Sequence, residues 1–424
     1  MRAAGFSADA TALRSDARRA TRIYARTMTE PMPKPQILIA GGGVAALEAL
    51  IALRELAGDR LRLTLLAPEP DFVYRPMAVA EPFCLGHAAH HPLDDVARDF
   101  GATVVRDALG EVDPVARKVV TGTGVSLDYD SLLIAVGARP EPVYRHAITF
   151  GADGAPEALA GLLADLEEGH VKTVAFVVPS TVAWSLPLYE LAIMTARDVF
   201  SAGIDGVELT FVTPEARPLE AFGPEAATMV AELLAQEGIE FIGSTFADVG
   251  HGVVLAGDRR IDVNRTIALP VPAGPAIPGL PADPDGFVGV DEHGRVQGVE
   301  DVYAAGDVTS FPIKQGGLAA QQAVAAAEAI AARHGTDLDP QPFRPVLRGM
   351  LLTAGQRRWL RAPAGDTPGG ARASLRALWW PPTKISSRYL APYLVGRDEA
   401  DLLAAEPEGG HAVQHEVDLT GGQR

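Results

Sequence analysis

The sequence predicts an α/β protein in which two parallel-sheet units share one chain, the second inserted into the first, with a small carboxyl-terminal region after them. Three observations predict it. Short apolar runs that read as buried strands alternate with longer segments of helical apolar spacing from residue 36 to about residue 335. A run of glycines separates the first strand from the first helix. The chain has 424 residues, several times the usual domain of about 100–150 residues, so more than one core is expected.

Taken in order, residues 1–35 are polar and arginine-rich and break at Pro31, Pro33 and Pro35. They read as a disordered extension, or as a start assigned too far upstream, with Met28 or Met32 as the beginning. QILIAGGG from Gln36 reads as a short buried strand ending in glycines, and VAALEALIALREL then spaces its apolar residues for a helix. LRLTLLA, residues 61–67, is the second strand, which completes a strand-turn-helix-strand unit. Further strands are predicted at residues 103–106, 131–136, 174–178, 208–213, 266–269 and 301–304. Helices are predicted at 156–168, 186–200, 224–237 and 316–333, and the middle third resembles a second copy of the opening unit. The expected division is 36–150 and 265–335 for the first unit, 151–264 for the second, 336–397 for a basic and aromatic region, and 398–424 for a disordered acidic tail.

Composition removes several classes. One cysteine, Cys84, can close no intrachain disulfide and supply no multi-thiolate metal site. A net charge of −17 argues against nucleic-acid binding. No stretch approaches the roughly 18–20 apolar residues of a spanning helix, and the amino-terminal segment lacks the compact apolar core of a secretory signal, so a cytoplasmic address is expected. Residues 341–397 depart from the acidic average: they hold ten basic residues against a single acid, Asp366. Such a segment can turn a protein toward an anionic surface.

The first motif with chemistry in it is Gly41-Gly42-Gly43-Val44-Ala45-Ala46, placed between a strand and a helix. Gly41 permits a tight turn, Gly43 lets a pyrophosphate approach the backbone, and Ala46 lets helix and strand pack closely. The amides of the helix start then face the phosphates. The acid expected at the end of the second strand is displaced: Ala67 stands there and Glu69 follows two residues on. Glu69 holds the ribose through a longer loop, or the ribose is held differently.

From here the sequence resembles a family. YDSLLIAVGARP, residues 129–140, is similar to the strand and turn by which two-dinucleotide-domain flavoproteins return to their FAD domain, with Ala135 and Gly137 as the small residues beside the FAD. VEDVYAAGDV, residues 299–308, resembles their late FAD motif, in which Gly306 precedes an aspartate, here Asp307, that binds the ribityl chain. KQGGLAAQQA, residues 314–323, resembles the segment that opens a helix under the isoalloxazine ring, with Gly317 and Leu318 at its start. The nearest relatives look like sulfide:quinone oxidoreductases, flavocytochrome sulfide dehydrogenases and type II NADH:quinone dehydrogenases. That resemblance implies two Rossmann-like dinucleotide-binding domains, the FAD domain being discontinuous. It places Arg75 of PEPDFVYRPM near the flavin or pyrophosphate and Leu109 at a backbone contact to adenine.

The middle segment separates these relatives. After its first strand, PSTVAWSLPLYELA, residues 179–192, contains no glycine. It is either a divergent nicotinamide site or, as in the sulfide-oxidising relatives, one that has lost ordinary NAD(P)H binding. Those relatives need a redox cysteine pair, which one cysteine cannot make; Ser185 lies where one of the pair would be. Cys84 reads as a buried, inert thiol, or as a reactive one beside the flavin. Lys314 reads as a charged neighbour of the flavin or acceptor, or as a surface lysine. His87, His90 and His91 read as a surface loop rather than a metal site.

ALWWPPTKISSRYLAPYL, residues 377–394, mixes two tryptophans and two tyrosines with cations. Such rings favour a membrane–water interface; alternatively they cap the first unit or form a homodimer face, with the arginines meeting the acidic remainder. The expectation is an FAD enzyme moving electrons from a small-molecule donor to a quinone-like acceptor. The alternatives are an NADH-dependent relative or a flavin-holding interaction protein without turnover.

Overall fold

The computed structural model describes residues 34–180, 184–363 and 370–397. The extension at residues 1–33 and the acidic tail at 398–424 lie outside the described residues.

The first sheet is built from β1 (Gln36–Ala40), β2 (Arg62–Leu66), β3 (Thr103–Val105), β4 (Ser131–Ile134) and a late strand, Val302–Ala304. All neighbours are parallel, and the late strand lies at the edge beside β4, with β1 in the centre. Central strands buried on both faces read as continuous apolar runs, which is why ILIA and LLI carry no alternation. Helix α1 (Val44–Ala57) crosses from β1 to β2, and Gly58 closes it in a left-handed conformation at φ 56°, its N–H donating to the Arg54 carbonyl. Burial of Leu47, Leu50 and Leu53 on this helix contributes about 1.5–3 kcal/mol each relative to exposure.

The second sheet repeats the plan. Its strands are β5 (Ile148–Thr149), β6 (Thr173–Val177), β7 (Glu208–Val212), β8 (Ile239–Ile242) and β9 (Arg265–Ala268), all parallel in the order β5-β9-β6-β7-β8. Helices α2 (Leu186–Ser201) and α3 (Pro224–Gln236) make the crossovers. Each unit also carries a three-stranded antiparallel meander, at residues 109–128 in the first and 247–262 in the second.

The sequence expects the first unit to run to residue 150 and to resume at residue 265. Both edges shift. Ile148–Thr149 pairs with β9, and β9 pairs in turn with β6, so both strands belong to the second sheet. The chain crosses between units instead at an antiparallel pair, Arg139–Glu141 against Val271–Ala273. Short apolar strands read alike in either sheet, and only the hydrogen-bonding partner decides which sheet they join.

Helix α4 (Gly316–Arg333) returns along α1, and its alanine-rich face allows close contact. The carboxyl-terminal region adds an antiparallel sheet of β10 (Val346–Leu351), β11 (Arg358–Pro363) and β12 (Arg372–Ser374), then a short helix α5 (Leu390–Arg397). Among the described residues no helix is long and apolar enough to cross a membrane.

Candidate functional site

At the carboxyl edge of β1 the chain turns on Gly41, at φ 129°, where an added Cβ would overlap the Ala135 carbonyl. The conformation and the contact both require glycine. Gly43 is the cap of α1: no side chain bonds to the first-turn amides, and a Cβ built on Gly43 meets nothing within 4 Å. Open space therefore stands over the amide end of a fourteen-residue helix, the arrangement that binds phosphate. Ala46 is wholly buried below it. Ala135 N donates to the Ala40 carbonyl at 2.7 Å, and Gly137 follows at φ 77°.

The second wall comes from the late strand. Gly306, at φ 85°, sits so close to α1 and α4 that a Cβ would lie 3.1 Å from that of Ala45 and 3.3 Å from that of Ala319. Gln322 accepts from its amide at 2.7 Å. This contact seats the turn that carries the next residue, Asp307, against α1 and α4. Burial raises the Asp307 carboxyl above the usual range, opposed by the Lys314 charge. Burial also lowers Lys314, to about 8, against the pull of Asp307 and Asp283. The Lys314 ammonium bonds the Thr309 carbonyl and lies 3.7 Å from the centre of the Phe287 ring.

Helix α4 starts at Gly316 with Gln315 as its cap, whose side chain accepts from Leu318 N at 2.8 Å. The Leu318 amide is thus already engaged, and the earlier amides of Gly316 and Gly317 form the helix end. Glu69 is exposed beyond β2, with Arg106 bonded to its carbonyl. Leu109 is half-buried and opens the first meander opposite Thr121. Open space above Gly43, a half-buried carboxyl on the turn packed against α1, and helix starts on two elements match what a dinucleotide flavin needs: a pyrophosphate cradle, a hydroxyl-binding acid and positive helix ends.

Two readings of the sequence are corrected. Cys84 is exposed, at φ 55°, where the 3-10 segment Arg75–Phe83 ends, so it is no buried thiol. His90 and His91 form a strand, His90–Pro92, paired with Asp71–Val73, rather than a loop. Alternation turns His91 inward to stack on Phe72 at 6.0 Å and His90 outward, 3.5 Å from Asp71.

The second sheet finishes its matching edge differently. Residues 181–183 of the glycine-free segment lie outside the described residues. Past them, Ser185 and Tyr189 of the α2 start donate to the Glu215 carboxylate at 3.1 and 2.7 Å, and Thr213 donates at 3.2 Å. Trp184 meets Phe222 edge-on at 5.7 Å, and Tyr189 stacks on Phe211 at 4.0 Å. Burial raises the Glu215 carboxyl, although the three hydroxyls oppose the rise.

Between these edges lies a cavity of about 230 Å³. Val79, Phe150, Trp184, Leu186, Pro187 and Met350 give it apolar walls, while Arg75, Lys314, Gln315 and Lys384 supply its polar lining. Lys384 is buried and pairs with Glu190 of α2 at 2.6 Å, and it donates to the Pro76 carbonyl at 3.1 Å. Burial shifts both partners toward their neutral forms, and their mutual attraction resists it. Sequence reasoning missed Glu190, Lys384 and Met350. The signal available was a lone acid inside the apolar helix LPLYELAIM.

Two parallel sheets with a glycine-lined crevice on the first define an oxidoreductase fold of the FAD/NAD type. The chain belongs to the pyridine nucleotide-disulphide oxidoreductase family, whose model matches residues 35–173 and 189–329; FAD is the cofactor that fits the first crevice. It is 26% identical over 227 residues to the sulfide-quinone reductase of Aquifex aeolicus, covering 49% of this chain and 50% of that one. It is 29% identical over 238 residues to an NADH dehydrogenase-like protein of Mycobacterium tuberculosis, covering 53% and 59%. The matches thus span little more than half the length of these curated relatives. The crystal structure of the sulfide:quinone oxidoreductase from Aquifex aeolicus superposes with a TM-score of 0.73 at 21% identity, covering 80% of this chain and 86% of that one.

Proposed function

We propose that this protein is an FAD-dependent oxidoreductase that passes electrons from a small-molecule donor to a quinone-like acceptor and does not use NAD(P)H in the ordinary way. The observation carrying this reading is the Glu215 cluster. Neither helix start has a side chain bonded to its first-turn amides, but the space at α1 stands open, whereas at α2 the Glu215 carboxylate lies beside the first turn, held by the hydroxyls of Ser185, Tyr189 and Thr213. A negative charge at a helix start is favourable, and it repels a second anion from the same place. The single cysteine removes the step that needs an intrachain cysteine pair.

FAD, when bound, supplies the electron chemistry. The chain's share is position and charge. Gly41, Gly43 and Ala46 hold the pyrophosphate, with Ala135 and Gly137 beside them. Asp307 takes the ribityl chain, and Gly306 sets its approach. Gly317 and the start of α4 face the ring. Lys314 places a cation, or above about pH 8 a neutral amine, at the border of crevice and cavity. Glu69 and Leu109 lie toward the adenosine end.

The division that goes with this reading gives the first unit the FAD and the second unit a scaffold role. The exposed Trp380 and Leu375, beside Arg372 and Arg376, support attachment at the inner face of a membrane. The other aromatics support the capping alternative: Trp379 packs on Trp359 at 4.7 Å, and Tyr393 donates to Asp99 at 2.8 Å. Arg388 and Arg397 also meet acids of the first unit.

The experiment is anaerobic reduction watched at the flavin absorption band. Photoreduced protein is expected to be reoxidised by a soluble quinone and left unreduced by NADH. Rapid bleaching by NADH would select the NADH-dependent alternative. Reduction by light with no reoxidation by quinone would select the flavin-holding interaction protein.

A further inference from the structure

The antiparallel sheet of the carboxyl-terminal region has two unlike faces. Leu347, Leu351, Leu360 and Ala362 are buried on one of them. On the other, the strand register sets three arginines side by side: Arg348 of β10 opposes Arg361 of β11, and Arg361 opposes Arg372 of β12. Directly opposed residues of an antiparallel sheet point to the same face. Neighbouring strands lie about 4.8 Å apart, so the row crosses the sheet within about 10 Å. Like charges placed directly opposite one another destabilise a sheet. No acid stands in the row or in the pairs that flank it, Val346 with Pro363 on one side and Met350 with Trp359 on the other. Arg372 is exposed, while Arg348 and Arg361 are half-buried, so the row opens to solvent at β12 and is sheltered toward β10. An anion laid along the row would remove the repulsion that the register imposes.

We infer that Arg348, Arg361 and Arg372 form a binding site for a phosphate group. Each guanidinium donates in a planar fork that matches two oxygens of a phosphate. A tetrahedral phosphate turns its oxygens in several directions, so it can take forks from neighbouring guanidiniums about 5 Å apart at once. A planar carboxylate has two oxygens and is filled by a single fork. None of the three arginines lines the cavity beside the flavin crevice, and the site does not depend on the electron-transfer reading. Two sources carry the group. One is a phospholipid headgroup, for which Leu375 and Trp380, exposed close to the row, offer apolar contacts. The other is a soluble phosphate ester.

Titration calorimetry of the flavin-loaded protein at low ionic strength tests this with two probes: pyrophosphate, and citrate, an anion of similar charge built from planar carboxylates. Pyrophosphate is expected to bind about tenfold more tightly than citrate, and the double variant Arg361→Gln with Arg372→Gln to weaken it about tenfold. A second double variant, Arg62→Gln with Arg217→Gln, removes the same charge from exposed residues elsewhere and is expected to change the affinity less than about twofold. The row variant relieves opposed like charges, so it is expected to fold. Pyrophosphate should raise the unfolding midpoint of the native chain and leave that of the row variant unmoved. Flotation with phosphatidylglycerol vesicles, against neutral phosphatidylcholine vesicles, separates the sources. Flotation that needs both phosphatidylglycerol and the row assigns the headgroup, and pyrophosphate binding without flotation assigns the soluble ester. Binding of neither probe nor vesicle overturns the site. Equal affinity for citrate and pyrophosphate, undiminished binding in the folded row variant, or an equal loss in the second variant overturns it as well.

Discussion

The two parallel sheets end in crevices at the same edge, and the chain finishes them in opposite ways. In the first, Gly41, Gly43 and the neighbouring Ala67 leave bare backbone at the start of α1. In the second, Trp184, Ser185 and Tyr189 crowd the start of α2, and Glu215 reaches across from the end of β7 to meet them. A duplicated fold thus keeps its architecture while one helix start stands open and the other has a carboxylate beside its first turn. A helix start needs a partner for its amides and its positive end, and either a ligand or a side chain provides one.

The largest expected effect comes from breaking the open crevice. Gly41→Val combines a forbidden φ with overlap on the Ala135 carbonyl, so flavin content of the purified protein should fall by about tenfold or more, read from its visible absorbance. Retained flavin would remove the bare-backbone account.

The filled side should respond in stability instead. Glu190→Gln alone leaves Lys384 buried without its counter-charge and is expected to cost about 3–5 kcal/mol in denaturant unfolding. A loss below about 1 kcal/mol would mean the pair already rests neutral. Ser185→Ala removes one of three hydroxyls on Glu215, and a loss of about 1 kcal/mol is expected with flavin content unchanged. Flavin loss in that variant would join the two crevices functionally.

The smallest effect is a pH dependence at their border. Burial holds the Lys314 pKa at about 8 in the flavin-free fold, below its unfolded value of 10.5. Between those values the unfolded chain binds more protons, so stability from this group rises with pH through that window and is lost below about 8. The stability of the native chain relative to Lys314→Met should therefore improve from pH 8 to 10.5, measured by unfolding at each pH. A flat difference would show that the ammonium is well solvated.

Much of this was legible in the residues. The predicted helix at 224–237 appears as Pro224–Gln236, and the predicted strand at 208–213 as Glu208–Val212, because apolar period and proline or glycine punctuation are local signals. The turn at Gly41 was equally legible, since few residues other than glycine tolerate its conformation. Three features were not. The four-residue strand Ile239–Ile242 is too short to show a period that separates it from a loop. The membership of β5 and β9 in the second sheet depends on pairing between strands about 90 to 120 residues apart. Cys84 sits in an apolar context, yet its backbone turns it outward.

The buried acids teach the same lesson. Glu48 interrupts the apolar run of α1, and its carboxylate takes the amides of Arg388, Tyr389 and Leu390 at 2.8, 3.0 and 2.6 Å, fixing the start of α5. Burial raises its pKa, opposed by those three amides. The residue stands out in the sequence, but its partners lie some 340 positions away.

By itself the sequence determined the alternating elements, the glycine turn after the first strand and the absence of a cysteine pair. These are written in residue types whose backbone or chemical limits act locally. Only the tertiary structure decided that Glu215 meets Ser185 and Tyr189 of α2, and that Lys384, at the cavity, pairs with Glu190. Charge and hydrogen-bond complementarity act through space, and folding alone brings such distant side chains within reach of one another.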